Sequence, residues 1–319
     1  MTTNNIIIFG PTGHVGSAVA RSIHHYSAKT VFLAMRDPKK PIPGLSPDQE
    51  QERGFQRIQA DLAKPETIHA AVEKSGAKRA FIYMVRDTSD NMRSSIEALK
   101  SAGIEFVVFL SSAGVQGDIR TIPPREIISW LHAQVEINLE EIFGRDGFVA
   151  VRPAFFASNA MWWKRMIREG EVKLVYPEAK LDWISPGDIG RVSAALLAGG
   201  SRAVDGADER NFVRLCGPEL VSQRDAVGII GKVIGENIKV TQLDEHEAVE
   251  VYEKDFGMPG PIGQHLINVL KRRAGVGGSD DAFEGPAYEE AVSNVPKYAG
   301  RQPTRFEEWV EENRQEFGG

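Results

Sequence analysis

Three glycines, Gly10, Gly13 and Gly16, stand at three-residue spacing directly after the apolar run Ile6-Ile7-Ile8-Phe9. That pattern has the geometry needed to hold a dinucleotide pyrophosphate. The first glycine permits a tight turn, the second lets the backbone approach a phosphate, and the third lets the next helix pack closely on the strand. A helix is predicted from about His14, with Val15, Ala18, Val19 and Ile23 at helical spacing. Its free N–H groups and positive dipole end would face the phosphates. A glycine pattern alone is weak; here it follows a strand and opens a helix, which is the confirming context.

The second strand is predicted over residues 30–35 and runs into Arg36. This point lies about 20 residues beyond the third glycine, where NAD-binding chains carry an acidic residue on the ribose 2′-hydroxyl. Arg36, with Lys39 and Lys40 nearby, suits a 2′-phosphate, because a guanidinium makes paired charge-assisted hydrogen bonds to phosphate. Asp37 could reach a 2′-hydroxyl instead. The basic side of this loop favours NADP(H) as cofactor.

The chain that must position these groups has 319 residues, 42% of them hydrophobic, enough for a substantial core in two domains or one large domain with a lobe. A net charge of −6 without a long basic run offers no field for nucleic acid. No apolar run is long enough to cross a bilayer and no signal peptide is seen, so no membrane role is expected. Cys216 is the lone cysteine, which rules out an intrachain disulfide and points to a reducing, cytoplasmic setting. Its apolar flank reads as a buried strand thiol.

Strands alternate with helices through the first half. Further strands are predicted at 55–60, 80–85, 106–110 and 148–151, with helices at 65–74, 91–102 and 125–143. The strands are almost continuously apolar, as expected where both faces are covered. The alternation predicts an α/β fold with a doubly wound parallel sheet. After Pro153 the rhythm changes. A Trp-rich helix at 159–169, a strand at 172–176, helices at 186–198 and 222–234, and a strand at 212–216 are predicted. Residues 257–263 read as a hinge or lid, 275–285 as a polar acidic loop, and 305–316 as the final helix.

Taken together the motifs resemble the NmrA-like family, the atypical short-chain dehydrogenase/reductase branch, over almost the whole chain. The pieces are the Gly10–Gly16 turn, Asp61-Leu62, Ser111-Ser112-Ala113-Gly114, the run at 151–159 (VRPAFFASN) and the run at 183–190 (WISPGDIG). The resemblance implies a Rossmann domain over 1–152 and a smaller α/β C-terminal substrate lobe, mainly 153–319, with NADP(H) between them. It assigns Gly10, Thr12, Gly13, His14, Val15 and Gly16 to the pyrophosphate turn and Arg36 to the 2′-phosphate. Asp61 and Leu62 would flank the adenine, Met84 and Val85 would line the cofactor groove with Ser111, and Pro153, Phe155 and Phe156 would lie beside the nicotinamide.

The departure from the wider superfamily matters more. Many short-chain dehydrogenases pair a Tyr with a Lys four residues later on the helix after the fifth strand, the Lys lowering the Tyr pKa for proton donation. No such pair stands here. Related members often have Lys four positions before the glutamate, and this chain has His132 there. An imidazole can hydrogen-bond the ribose or donate a proton near neutral pH, or be an ordinary helix residue. Ser112 is the other candidate, either orienting a substrate carbonyl or forming a turn.

Trp130, Trp162, Trp163 and Tyr176, with Phe155 and Phe156, could build a broad apolar pocket for an aromatic or alkaloid-like substrate. Adjacent Trp162 and Trp163 cannot share one buried helix face. Asp87 and Asn159 complete the substrate-side candidates. The expected function is an NADPH-dependent oxidoreductase reducing C=O, C=N or C=C in a bulky small molecule, or a cofactor-assisted isomerisation or cyclisation. The alternative is a non-catalytic NADP(H)-sensing regulator whose protein partner is a transcription factor.

Overall fold

The computed structural model describes residues 5–26, 30–86, 88–203, 211–276 and 285–318. The first half alternates β1 (Asn5–Phe9), α1 (His14–Ile23), β2 (Val31–Met35), α2 (Pro47–Glu52), β3 (Gln56–Gln59), α3 (Pro65–Ser75), β4 (Ala77–Tyr83), α4 (Arg93–Ser101), β5 (Phe106–Leu110), α5 (Ile127–Phe143) and β6 (Phe148–Pro153). The second half contains α6 (Lys164–Arg168), β7 (Glu171–Val175), β8 (Lys180–Leu181), α7 (Pro186–Gly199), β9 (Phe212–Leu215), β10 (Val221–Ser222), α8 (Gln223–Ile234) and β11 (Lys239–Leu243). It ends in α9 (Glu245–Lys254), α10 (Gly260–Arg273), α11 (Gly285–Ala299), α12 (Phe306–Glu312) and α13 (Arg314–Phe317).

Seven strands form one parallel sheet in the order β3-β2-β1-β4-β5-β6-β9. Alternate side chains of each strand enter two different cores. Ile6, Ile8, Leu33, Phe81 and Val108 pack with α1 and α7 on one face. Ile7, Phe9, Phe32, Ile82 and Phe109 pack with α3, α4 and α5 on the other. Burial on both faces explains the unbroken apolar runs in the sequence. This is a Rossmann-type α/β fold. The chain returns to the sheet late, since β9 pairs with β6 in the register Ala150↔Phe212 to Pro153↔Leu215. Helix α7 then crosses α1 at a point where a Cβ on Gly190 would stand 2.4 Å from the Ala18 Cβ.

Outside the sheet, β7 and β11 pair parallel and β8 and β10 antiparallel. Helices α8, α9, α10, α12 and α13 close a third core with them. Trp183 is central to that core. Its backbone is left-handed (φ 46°), a conformation that costs energy for a bulky residue. The ring is held by Nε1 donating to the Val221 carbonyl at 2.9 Å and by rings of Phe155, Trp163 and Phe306 around it.

Three expectations are revised here. Residues 157–163 wind as a 3-10 turn before α6, so the predicted helix at 159–169 is split. The presumed hinge at 257–263 is the entry to α10: Gly257 is left-handed (φ 63°), and Pro259 caps a helix starting at Gly260. The final helix breaks at Asn313, whose side chain turns back to the Trp309 carbonyl. The predicted acidic loop at 275–285 falls mostly outside the described residues. No described helix is long and apolar enough to cross a membrane.

Candidate active site

The glycine turn has three different steric demands. Gly10 is left-handed (φ 68°), and a Cβ there would stand 2.4 Å from Cε1 of Tyr83. At Gly16 a Cβ would meet the Gly10 carbonyl oxygen at 2.1 Å, so only glycine lets α1 pack this closely on the turn. Gly13 is different: its nearest neighbour would be the Gly10 oxygen at 3.6 Å, and the rest is open. Gly13 is also the N-cap of α1 and supplies no side-chain hydrogen bond, so no capping side chain competes for the first-turn N–H groups. That cradle fits a phosphate. Thr12 and His14 flank it, half-buried and exposed, while Val15 is buried in the core and can offer only its backbone. Burial, with Lys164 nearby, lowers the His14 pKa against the pull of Glu316. Lys164 and Glu316 form an ion pair, so α6 and α13 lie alongside this end of α1.

Toward β2, Asp37 is spent on its own turn: Oδ1 accepts from the Lys39 N–H at 2.9 Å. Arg36 is left exposed at the strand end. The loop behind it is anchored by Arg57, which donates to the carbonyls of Pro38 (2.5 Å) and Lys40 (2.9 Å) and pairs with Glu50. Tyr83, which the sequence reading passed over, lies against Gly10, and Arg36 and Asp61 both act on its hydroxyl, whose pKa burial raises. Asp61 Oδ1 accepts from the Ala63 N–H at 3.0 Å. The Leu62 side chain is only 3% exposed, packed with Ile68 and Ile96, so it does not flank an open groove. Met84 and Val85 are half-buried at the end of β4. Asp87 lies outside the described residues.

The loop after β5 is fixed by a buried ionic network between Arg152 and Glu136, whose pairing no local pattern reveals. Arg152 pairs with Glu136 through two hydrogen bonds, donates to the Val115 carbonyl at 2.9 Å, and stacks its guanidinium 4.0 Å over the Phe212 ring. Ser111 Oγ donates to Glu136 Oε1 at 2.5 Å and is buried, which turns it away from any cofactor. Ser112 Oγ accepts from the Gly114 N–H at 3.2 Å, leaving its own O–H proton to donate elsewhere. His132 Nδ1 lies 2.7 Å from the Ile128 carbonyl. A carbonyl cannot donate, so Nδ1 carries the proton and Nε2 is an acceptor. Burial lowers the His132 pKa, against Ile128 and Glu136, and keeps the ring neutral.

Across from α5, Phe155 meets Trp162 edge-on at 6.3 Å, and Trp162 stacks on Phe256 at 6.0 Å. Trp162 is half-buried while Trp163 is 3% exposed against Trp183. Trp163 is therefore a core residue and leaves the candidate lining. The Tyr176 hydroxyl is taken up by Glu245, to which it donates and which also pairs with Lys271. Trp130, Phe156 and Asn159 are half-buried; Phe156 bridges to Ile184, and Pro153 is buried. Helix α10 reaches α5, where His265 has its pKa lowered by burial and Arg272 against Glu126.

Asp182 joins the two halves of this region. Its carboxylate accepts from the Phe155 N–H (2.8 Å) and the Gly217 N–H (2.9 Å), clamping the segment after β6 to the segment after β9. Burial outweighs those two donors and pushes its pKa up to about 6. A Cβ on Gly217 would stand 1.8 Å from the Asp182 oxygen, so only glycine fits. The buried Cys216 thiol beside it is driven upward by burial and Asp182.

The profile of the NmrA-like family matches residues 2–310. A nitrogen metabolite regulation-like protein, bik4, of Gibberella fujikuroi is 37% identical over 321 residues, covering 96% of this chain and 95% of that one. Festuclavine synthase II of Penicillium roqueforti is 22% identical, covering 97% and 98%. Among solved structures, the NADPH-dependent quinone oxidoreductase QOR2 of Escherichia coli, complexed with NADPH, is similar with a TM-score of 0.66 at 18% identity, covering 97% and 99%. The match of the family profile from the glycine turn to α12, with a relative of this identity along nearly the full length, shows that the chain belongs to the NmrA-like family.

Proposed function

We propose that this protein is an NADP(H)-dependent reductase acting on a bulky aromatic or alkaloid-like small molecule. One observation carries the reading. The open cradle at Gly13 follows β1, and the Phe155–Trp162–Phe256 wall follows β6, so both stand at the same C-terminal edge of a parallel sheet. Ligands of such sheets bind at that edge. The names of the alkaloid-type synthase and the quinone oxidoreductase support the same reading. On this reading residues 1–152 carry the cofactor and residues 153–319 mainly the substrate, with β9 and α7 returned to the sheet side. The single, buried Cys216 is in keeping with a reducing, cytoplasmic setting.

When bound, the nicotinamide supplies hydride. Arg36 holds the 2′-phosphate, and the α1 N–H groups beside Gly13 hold the pyrophosphate. His132, neutral with Nε2 as acceptor, takes a hydrogen bond from a ribose hydroxyl. It acts as a holder, since its neutral state has no acidic proton free at Nε2. Ser112 donates its O–H to the substrate atom that gains negative charge, and water replaces that proton. Phe155, Trp162 and Phe256 exclude water from one face and stack against the substrate.

A second reading rests on the regulator-like relative, 37% identical across the chain, and on α5, which carries neither tyrosine nor lysine. In it the protein senses NADP(H) and docks on a transcription factor without turnover. The two are separated by following NADPH absorbance with a panel of quinones, iminium compounds and conjugated aromatic ketones. Consumption with any acceptor, lost in Gly13→Ala, supports the reductase. Tight NADPH binding with no consumption across the panel supports the sensor.

A further inference from the structure

Away from the C-terminal edge of the sheet, a half-enclosed cavity of about 460 Å³ opens between α1, the first turn of α7 and residues 299–301. Its polar lining is Arg21, Ser22, His25, Tyr26, Arg191 and Arg301, with no carboxylate among the lining residues. Three guanidiniums and an imidazole therefore face one small space on a chain whose net charge is −6.

The counter-charges nearby are few. Arg21 Nη1 donates to the Pro43 carbonyl (2.6 Å) and to Ser17 Oγ (3.2 Å), both neutral. Burial and the neighbouring Arg191 lower the Arg21 pKa, and Glu312 alone opposes them. Arg191 pairs with Asp188 at 2.5 Å, but the same carboxylate also accepts from the Thr304 N–H at 2.7 Å. Arg191 Nε is buried without a hydrogen-bond partner. Gly187 keeps the wall low: a Cβ there would meet Ser185 Oγ at 3.2 Å and Arg191 Nη1 at 3.5 Å.

We propose that this cavity binds a small phosphate-bearing anion at a site separate from the dinucleotide cradle. Guanidiniums converging on one point favour phosphate, which accepts their paired donors. The volume falls in the range of roughly 300–1,000 Å³ typical of small-molecule sites, and a half-enclosed hollow suits a compact ligand better than an extended acidic peptide. Arg21 lies eight residues past Gly13 along α1, about 12 Å at 1.5 Å per residue, so one nucleotide phosphate cannot occupy both places.

The test is calorimetric titration with inorganic pyrophosphate, run with and without saturating NADPH so that it does not depend on the cofactor reading. With saturating NADPH filling the cradle at Gly13, saturable one-site binding on the order of millimolar or tighter is expected, weakening with salt. The double variant His25→Ala/Arg301→Ala, both exposed positions, should weaken it about tenfold without moving the melting temperature. The proposal is overturned by absence of saturable heat, by parent-like binding in the double variant, or by loss under NADPH, which would locate the anion in the cradle. Binding of a phosphoserine peptide where pyrophosphate gives none would also overturn it, in favour of a protein partner.

Discussion

Replacing Gly13 by alanine separates folding from binding. Gly13 has φ −89° and ψ 167°, a backbone region open to any residue, and the nearest atom to an added Cβ is 3.6 Å away. Alanine is a poorer N-cap than glycine by roughly 0.5 kcal/mol. Restricting the unfolded chain returns about 0.4–1 kcal/mol, so the melting temperature should stay within about 2 °C. Binding is different, because the methyl enters the space through which a phosphate reaches the α1 N–H groups. Losing one or two charge-assisted hydrogen bonds, about 1.5–3 kcal/mol each, corresponds to roughly hundredfold weaker NADPH binding. Gly16→Ala is the contrast. Its Cβ would stand 2.1 Å from the Gly10 oxygen and 2.8 Å from the Gly10 carbonyl carbon, backbone atoms that cannot swing aside. That variant should lose about 1–3 kcal/mol of stability before any ligand is added. Scanning calorimetry paired with NADPH fluorescence titration reads both quantities. If Gly13→Ala folds normally and binds NADPH like the parent, the phosphates sit elsewhere.

Arg36→Ala should weaken NADPH binding about tenfold and spare NADH, which carries no 2′-phosphate for the guanidinium to hold; equal loss of both nucleotides in the same titration would remove Arg36 from the 2′-phosphate. Glu136→Gln leaves the buried Arg152 guanidinium without a carboxylate and should cost about 3–5 kcal/mol, roughly 6–10 °C of melting temperature, while Glu136→Leu with Arg152→Met recovers most of it. A single variant that melts with the parent would show that the pair does not hold the loop. Asp182 is protonated more readily folded (about 6) than unfolded (3.8), so its burial costs stability progressively as pH rises through that window. Between pH 4.5 and 7 the parent should lose about 2 kcal/mol relative to Asp182→Asn in urea denaturation; parallel pH profiles would mean the carboxyl is ordinary. His132→Ala should raise the KM for NADPH several-fold and leave kcat with no imidazole limb to lose, whereas a vanished limb near neutral pH would make the ring an acid after all.

The sheet half of the molecule was legible because its information is local. A strand, three glycines and a helix are contiguous, and each glycine answers to an atom within reach of the turn: Tyr83 at Gly10, open space at Gly13, the Gly10 oxygen at Gly16. The sheet followed from apolar runs that feed two cores at once. Where local reading went astray, the residue type was right and its direction was not. Ser111 is polar and follows β5, but its hydroxyl turns inward to Glu136; Leu62 follows Asp61 at the groove, but its side chain points into the core. Strand alternation decides such directions, and at a strand's last residues the chain departs from the pleat. Helices α9 and α10 were unseen because acidic residues fill one and Gly257, Pro259, Gly260 and Pro261 crowd the entry to the other.

The C-terminal lobe resists such reading for a stronger reason: no short segment contains its aromatic wall. Phe155 and Trp162 come from one stretch and Phe256 from another about 90 residues later, and Phe155 is fixed by Asp182, a residue beside the recognisable 183–190 run and not within it. One buried carboxylate bonds the Phe155 and Gly217 backbones, and the next residue, Trp183, is held in a left-handed conformation by the packing of three rings. Strain of this kind persists only where the surroundings over-determine it. The wall that would select a substrate is thus set by the lobe core, while the cradle is set by the turn after β1. A change to Trp162 or Phe256 can alter what binds without touching Gly13, whereas a change in the Asp182–Trp183 turn acts on the wall through Phe155, which both residues touch.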